Sequence, residues 1–234
     1  MSKNYTGFIR LAAIAALIIV GIYLIELVVV LVYGLPPYSV EAWFTLFETH
    51  RLIGLVQSFA LDIVAVFMHA PLFIGLYLVL KDTKKSSGTL ILATLLSFIG
   101  IAVYFSTNTT FSMLFLSDQY AAATSETQKT QLLTSGQTLF SIYNGTGPFA
   151  AYFLYALAGI LISVVMFHHP FFSKSIAITG IIGNALELGL PPSLDPAFFL
   201  KIDPYLIGIG GVFLLFWYTA IAIKLFNIAK HPIE

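Results

Sequence analysis

The sequence predicts an all-α fold, a polytopic membrane helix bundle with six transmembrane helices. Of its 234 residues, 59% are apolar and 9% are charged, and the mean hydropathy is +0.93. A soluble domain usually carries about 25% charged and about 45–50% apolar residues. Too few charges therefore remain to cover a water-facing surface. In addition, six stretches reach the length of about 20 mainly apolar residues that a helix needs to cross a bilayer.

The six predicted spans form one integral membrane domain over residues 1–234, since no internal repeat or linker separates them. The first span has a longer apolar run than the 7–15 residues typical of a signal peptide, and no clear cleavage site follows it. It is therefore expected to be retained. The predicted spans cover residues 8–33, 53–80, 89–107, 148–167, 173–190 and 205–228.

The distribution of lysine and arginine predicts the orientation, because cytoplasmic segments carry an excess of both. With the N-terminus inside, eight basic residues fall on the cytoplasmic side and three on the outer side. Both termini are therefore expected in the cytoplasm. The inner set is Lys3, Arg10, Lys81, Lys84, Lys85, Lys174, Lys224 and Lys230, and the outer set is Arg51, Lys129 and Lys201.

Two outer segments are predicted to contain amphipathic helices. Near residues 39–50, Ser39 is a suitable N-cap, and Trp43, Phe44 and Phe47 recur at helical spacing on a helix that would lie in the membrane interface. Alternatively, this segment begins the second span early.

The other outer segment, residues 108–147, is the most polar part of the chain. A helix over 125–143 is predicted there, capped by Ser125 or Thr127. It would be either a plain surface helix or a lid over a cavity.

Composition and motifs exclude several kinds of chemistry. The 11 basic and 11 acidic residues cancel, so the charge footprint of a nucleic-acid binder is missing. Without cysteine there is no disulfide, thiolate nucleophile or Cys-ligated metal. No hydrolase, zinc-protease or phosphate-loop motif occurs, and only one histidine lies deep in a span. We therefore expect no catalytic residue, no metal centre and no cofactor, and an enzymatic role is disfavoured.

Carboxylates within predicted spans are candidate functional groups, because each is costly to place in hydrocarbon. At a rise of about 1.5 Å per residue, Glu26, Asp62 and Glu187 all fall in the outer half of the membrane at a similar depth. Clustered carboxylates cannot all stay ionised without a cation nearby. The three side chains therefore predict an outward-opening polar pocket in which a bound cation is an option.

Two further polar residues are assigned to this pocket. His69 follows Asp62 by seven residues, which places it on nearly the same helix face and about 10 Å deeper. Pro71 is expected to kink the span and free the Phe67 carbonyl for His69 or a water molecule. Asn184 lies one turn before Glu187 and adds an amide to the same face. The predicted ligand- or ion-binding set is thus Glu26, Asp62, His69, Asn184 and Glu187.

Three functions remain open from these residues. The first is a receptor or transporter for a small ligand or ion in the outer-half pocket. The second is a structural or accessory membrane subunit, or a homo-oligomer, in which small residues such as Ala12 and Ala16 pack against a partner. In that case the carboxylates would be solvated or paired, for example with Arg51. The third, less favoured, is an enzyme acting on lipid.

Three strings in the second half of the chain carry a resemblance to a known family. They are YAAATSETQKTQLLTSGQTLFSIYNGTG, ISVVMFHHPFFSKSIAITGIIGN and WYTAIAIKLFNI, between residues 120 and 228. Over this region the chain resembles the bacterial multi-pass membrane family catalogued as domain of unknown function 4386. The resemblance implies a six- or seven-span protein of a bacterial plasma membrane. It implies no activity and no site residue.

Overall fold

The computed structural model describes residues 5–81, 87–188 and 203–231, and these ranges contain helices and no strand. The prediction of an all-α helical bundle is confirmed. In chain order the helices are α1 (Thr6–Tyr33), α2 (Val40–Thr49), α3 (Arg51–Gln57), α4 (Asp62–Leu80), α5 (Ser87–Thr107), α6 (Thr110–Ala122), α7 (Glu126–Tyr143), α8 (Thr146–Phe167), α9 (Lys174–Glu187) and α10 (Asp203–Lys230).

Six of these helices form a closed ring. Each packs on the next in the order α1, α4, α5, α8, α9 and α10, and α10 packs back on α1. Within the described residues, five helical stretches are long and apolar enough to cross a membrane: Thr6–Tyr33, Asp62–Leu80, Gly88–Ala122, Glu126–Phe167 and Gly208–Lys230.

The predicted fifth span is not established by the described residues. Helix α9 has 14 residues, which at about 1.5 Å each cover about 21 Å of the roughly 30 Å hydrocarbon core. Residues 189 and 190, the predicted end of this span, lie outside the described ranges. The count of six spans therefore stays a prediction.

Helices α2, α3, α6 and α7 pack together as a cap over the end of the ring where α1 ends and α4 begins. Helices are confirmed in both predicted segments, where Ser39 accepts a hydrogen bond from the Ala42 amide and Ser125 accepts one from the Gln128 amide. Their buried aromatic residues hold the cap together. The sequence analysis missed α6, whose residues it assigned to a polar segment.

The predicted span 53–80 is interrupted near the cap. Helix α3 ends at Gln57, and α4 begins at Asp62 after a turn in which Phe59 takes a positive φ of 63°. Irregular backbone at membrane depth needs protein partners for its polar groups. Here the Ser58 carbonyl accepts a hydrogen bond from Thr110, and the Phe59 carbonyl accepts one from the Tyr104 hydroxyl at 3.1 Å.

The half of the ring away from the cap has an apolar interior. Buried side chains from α1, α4, α8 and α10 meet there in one cluster. Gly75 of α4 lies so close to Ala12 of α1 that a Cβ at position 75 would overlap the Ala12 Cβ. The small residues Ala12 and Ala16, predicted as a packing surface, are fully buried within the chain. This half is closed by tight helix packing.

Candidate functional site

The core of the candidate site is a pair of carboxyl groups from two helices. Asp62 is the first residue of α4 and is 6% exposed, while Glu26 lies on α1 two turns before its end. Their carboxyl groups interact with each other through a side-chain hydrogen bond. The Tyr152 hydroxyl of α8 donates to Asp62 Oδ2 at 3.0 Å. Three ring helices therefore meet at this pair, directly beneath the interruption between α3 and α4.

No positive side chain among the described residues contacts this pair. Arg51 donates two hydrogen bonds to Asp118, both on the cap, and Lys129 pairs with Glu126 within α7. Glu26 Oε1 is buried, and no donor in the described part of the chain reaches it. An ionised carboxylate only accepts hydrogen bonds. The two groups can therefore bond to each other only when one of them carries a proton, or they must share a cation.

His69 lies two turns further along α4 and is 4% exposed. Its Nδ1 is 2.8 Å from the Ala65 carbonyl, which can only accept, so this nitrogen carries the hydrogen. Nε2 is then the acceptor for the Tyr218 hydroxyl of α10, also at 2.8 Å. His69 therefore does not use the Phe67 carbonyl that was predicted for it or for a water molecule, because its ring turns back along its own helix to Ala65.

Tyrosines fill the space between the carboxyl pair and His69. The Tyr23 ring packs edge-on against the Tyr218 ring with centroids 6.1 Å apart, and Tyr23 interacts electrostatically with both carboxyl groups of the pair. The Tyr155 ring centroid lies 5.1 Å from that of His69, and the Tyr155 hydroxyl is buried without a hydrogen-bond partner among the described residues. Tyrosines therefore surround both groups, with the Tyr152 hydroxyl bonded to Asp62 and the Tyr218 hydroxyl bonded to His69.

Glu187, the third predicted carboxylate, belongs to the α9–α10 side of the ring. Its Oε1 lies beside Gly210 of α10. Its charge interacts with Tyr23 and with Tyr218, the tyrosine that bonds to His69. Glu187 therefore lies on the same side of the ring interior as these tyrosines.

Asn184 lies in the interface between α8 and α9. Its Nδ2 donates to the Gly180 carbonyl of its own helix at 2.8 Å, and its amide packs directly on Gly159. A Cβ at Gly159 would overlap that amide. In this arrangement Asn184 contributes to helix packing.

The cap also carries a groove that is separate from this site. An open, mostly apolar groove of about 610 Å³ lies between α6 and α7 on the cap, lined by residues such as Phe111, Phe115 and Leu139. It does not involve the carboxyl pair. The described residues contain no group of three histidine or acidic side chains arranged to hold a metal ion.

Sequence reasoning missed the tyrosines of the site. Tyr23, Tyr152, Tyr155 and Tyr218 all lie within apolar spans and look like ordinary membrane aromatics. A usable signal was present, because a hydroxyl buried in hydrocarbon needs a partner and each of these tyrosines lies well inside a span. The identity of the partner depends on the order of helices in the ring, which the sequence does not reveal.

The fold and the composition together define a multi-pass membrane protein. No family model, curated protein or solved structure matches the chain. Its function must therefore be argued from the site.

Proposed function

We propose that this protein binds a small cation, the proton included, at the Glu26–Asp62 carboxyl pair, as a receptor or carrier. The observation that carries the proposal is the contact between two carboxyl groups where no positive side chain of the described residues is available. Two like charges about 4 Å apart repel by about 4 kcal/mol at an effective dielectric constant of 20. A bound positive charge removes this repulsion.

The packing of the ring favours binding from the cap side over conduction. Beyond His69, α4 presents fully buried apolar residues to its neighbours, including Leu72, Phe73 and Leu76. An ion path would need polar groups or water along this half. Release on the other side would require a second conformation, as in a carrier.

The membrane orientation is part of the proposal. The cap lies outside and both termini lie in the cytoplasm of a bacterial plasma membrane, in line with the family resemblance in the second half of the chain. Of the seven described basic residues, five lie at the end opposite the cap, which supports this orientation. The five are Arg10, Lys81, Lys174, Lys224 and Lys230, and the two on the cap are Arg51 and Lys129.

The orientation can be tested by cysteine labelling, since the native chain has no cysteine. Thr134→Cys, on the exposed face of α7, should react with a membrane-impermeant maleimide added to intact cells, and His231→Cys should react only after lysis. The reverse pattern would overturn the orientation.

The alternative of an accessory subunit has less support. Its main sequence feature was the small-residue surface of α1, and Ala12 and Ala16 are covered by other helices of the same chain. Gly210 likewise packs on Leu186 and Glu187 of α9. These small residues are therefore occupied by contacts within the chain itself.

The binding proposal is tested with the full chain in lipid nanodiscs. The thermal unfolding midpoint is measured across a pH series and with Na⁺, K⁺ or Ca²⁺ added. Asp62→Asn keeps the shape and an acceptor for Tyr152 but removes the charge, so the dependence on pH or on the cation should disappear. Glu48→Gln, an exposed carboxylate on α2, is the matched control and should behave like the native protein. The proposal is refuted if the unfolding midpoint of Asp62→Asn depends on pH or on a cation as that of the native protein does. It is also refuted if the midpoint of the native protein depends on neither.

A further inference from the structure

We propose that Tyr152 is a positioning residue for the carboxyl pair: its hydroxyl holds the negative charge on Asp62, so that Glu26 is the group that takes up a proton. This inference rests on the proposed function and specifies it in two ways. The bound cation is a proton, and one of the two carboxyl groups is its acceptor. The pair then carries one proton and one negative charge.

Asp62 has two features that stabilise its ionised form. The Tyr152 hydroxyl donates to its Oδ2 at 3.0 Å, and a hydrogen bond to an ionised acceptor is stronger than one to a neutral acceptor. Asp62 is also the first residue of α4, where the amide groups of the first helical turn favour a negative charge. A proton on Asp62 would weaken both interactions. Of the two carboxyl groups, Asp62 is therefore the better supported as an anion.

Glu26 has no comparable support for a charge. It lies within α1, two turns before the end of that helix, so it is beyond the reach of the charges at either helix terminus. Its Oε1 is buried and receives no hydrogen bond from the described residues. A buried oxygen without a donor is costly when the group is ionised and much less costly when it is neutral. The structure therefore favours the protonated form of Glu26.

The two assignments fit one hydrogen-bond pattern. A protonated Glu26 donates its hydrogen to Asp62, and Asp62 then accepts from Glu26 and from Tyr152 at once. In the opposite arrangement, a protonated Asp62 would donate to Glu26, and Tyr152 would donate to a neutral carboxyl group in a weaker bond. One proton on the pair also removes the repulsion between two ionised groups.

Tyrosines surround Asp62 on the neighbouring helices, and a tyrosine is a neutral donor at ordinary pH. Tyr152 reaches an oxygen of the pair, whereas the Tyr104 hydroxyl donates to the Phe59 carbonyl. On α4 itself, both ring nitrogens of His69 are engaged in hydrogen bonds. The groups that interact electrostatically with Asp62 from other helices are Glu26 and Tyr23 of α1, Tyr104 of α5, Tyr143 of α7, and Tyr152 and Tyr155 of α8, and Tyr23 interacts in turn with Glu187 of α9 and Tyr218 of α10. None of these groups is a cation that could hold the charge on Asp62 in place of Tyr152.

The position of the proton is read by infrared spectroscopy of the full chain in lipid nanodiscs. A protonated carboxyl group has a carbonyl stretching band of its own, and ¹³C at the side-chain carboxyl moves this band. The chain is made by cell-free synthesis with ¹³C in either glutamate or aspartate. The band of the pair is identified by its loss in the double variant Glu26→Gln, Asp62→Asn. Near neutral pH, this band should move with labelled glutamate and not with labelled aspartate.

The role of Tyr152 is tested by removing its hydroxyl. In Tyr152→Phe, Asp62 loses its donor and competes for the proton, so the band should move in part with labelled aspartate. In Glu26→Gln, Asp62 titrates alone. Adding Tyr152→Phe there should raise the pH at which Asp62 is protonated by at least about one unit, because the lost hydrogen bond favoured the ionised form.

Two further variants keep this test independent of folding defects. A fluorinated tyrosine at position 152 keeps the ring and has a more acidic hydroxyl, which is a stronger donor. It should lower the pH at which Asp62 is protonated in Glu26→Gln. Tyr77→Phe removes a hydroxyl about 22 Å further along α4 and is the matched control. It should leave the band and the protonation of Asp62 as they are without it.

The outcomes separate this inference from the proposed function. If the native band moves with labelled aspartate, or if neither change at position 152 shifts the protonation of Asp62, the inference is wrong and the cation site stands. The same holds if Tyr77→Phe gives the shift expected of Tyr152→Phe. If the pair has no protonated band and the native unfolding midpoint responds only to a metal ion, the proton is the wrong ligand and the function stands. If the midpoint responds to neither pH nor a metal ion, both fail.

Discussion

The two halves of the helix ring differ in chemistry although the same helices run through both. The half beneath the cap holds the Glu26–Asp62 carboxyl pair, and three tyrosines there, Tyr104, Tyr152 and Tyr218, bond to a carbonyl, a carboxyl and an imidazole group. The other half is filled by aliphatic side chains and close glycine–alanine contacts. Packing holds one half together, and polar pairs occupy the other. The comparison shows a closely packed apolar base beneath a polar site.

The largest effect is expected from a cavity in the apolar half. Leu76 of α4 is fully buried, and Leu76→Ala should lower the free energy of unfolding by about 3 kcal/mol, within the range for buried leucines. Leu95→Ala on α5 is the control, because Leu95 faces outward and lipid fills the space it leaves. Both are measured by denaturant titration in micelles. If both variants lower the free energy of unfolding by the same amount, this half of the ring is not tightly packed.

Features set by local sequence could be predicted, whereas those set by helix order could not. Ser39 was assigned correctly as a cap, and Ser125 was one of the two candidates given for the other helix, because a hydroxyl three residues before an amide acts within one turn. The similar depth of Glu26 and Asp62 followed from counting residues along each span. Their contact did not, since it depends on α1 lying beside α4 in the ring.

The interruption of the second span shows the same limit. Residues 58–61 contain no glycine or proline, so neither composition nor periodicity marks a break there. The break is held by side chains from α5 and α6, Tyr104 and Thr110, which are more than 40 residues away. Helix α6 itself was missed because polar neighbours hid its apolar residues. Tertiary partners decide such features.

An intermediate effect is expected at this interruption. Thr110→Val keeps the shape of the side chain but removes the donor to the buried Ser58 carbonyl, and an unsatisfied buried acceptor costs about 1–3 kcal/mol. We expect Thr110→Val to lower the free energy of unfolding by about 1–2 kcal/mol, measured by the same denaturant titration. Thr134→Val on α7, whose hydroxyl bonds only within its own exposed helix, should change stability by less than about 0.5 kcal/mol. If Thr110→Val has the same stability as the native protein, the turn between α3 and α4 does not need its side-chain partners.

The smallest effect is expected from the ion pair on the cap. Measuring it compares a solvent-exposed polar contact with a buried one. Arg51 and Asp118 form a bidentate salt bridge in which both N···O distances are 2.9 Å, but their side chains are 54% and 51% exposed. Exposed pairs contribute about 0–1 kcal/mol, because water and salt screen them. A double-mutant cycle with Arg51→Ala and Asp118→Ala should therefore give a coupling below about 1 kcal/mol that falls further in high salt. The matching cycle with Tyr152→Phe and Asp62→Asn tests a polar contact inside the ring, and its coupling should not respond to salt. A salt-independent coupling at Arg51 and Asp118 would show that water and ions do not reach this part of the cap. The proposed binding of a cation from the cap side would then lack a hydrated surface from which to start.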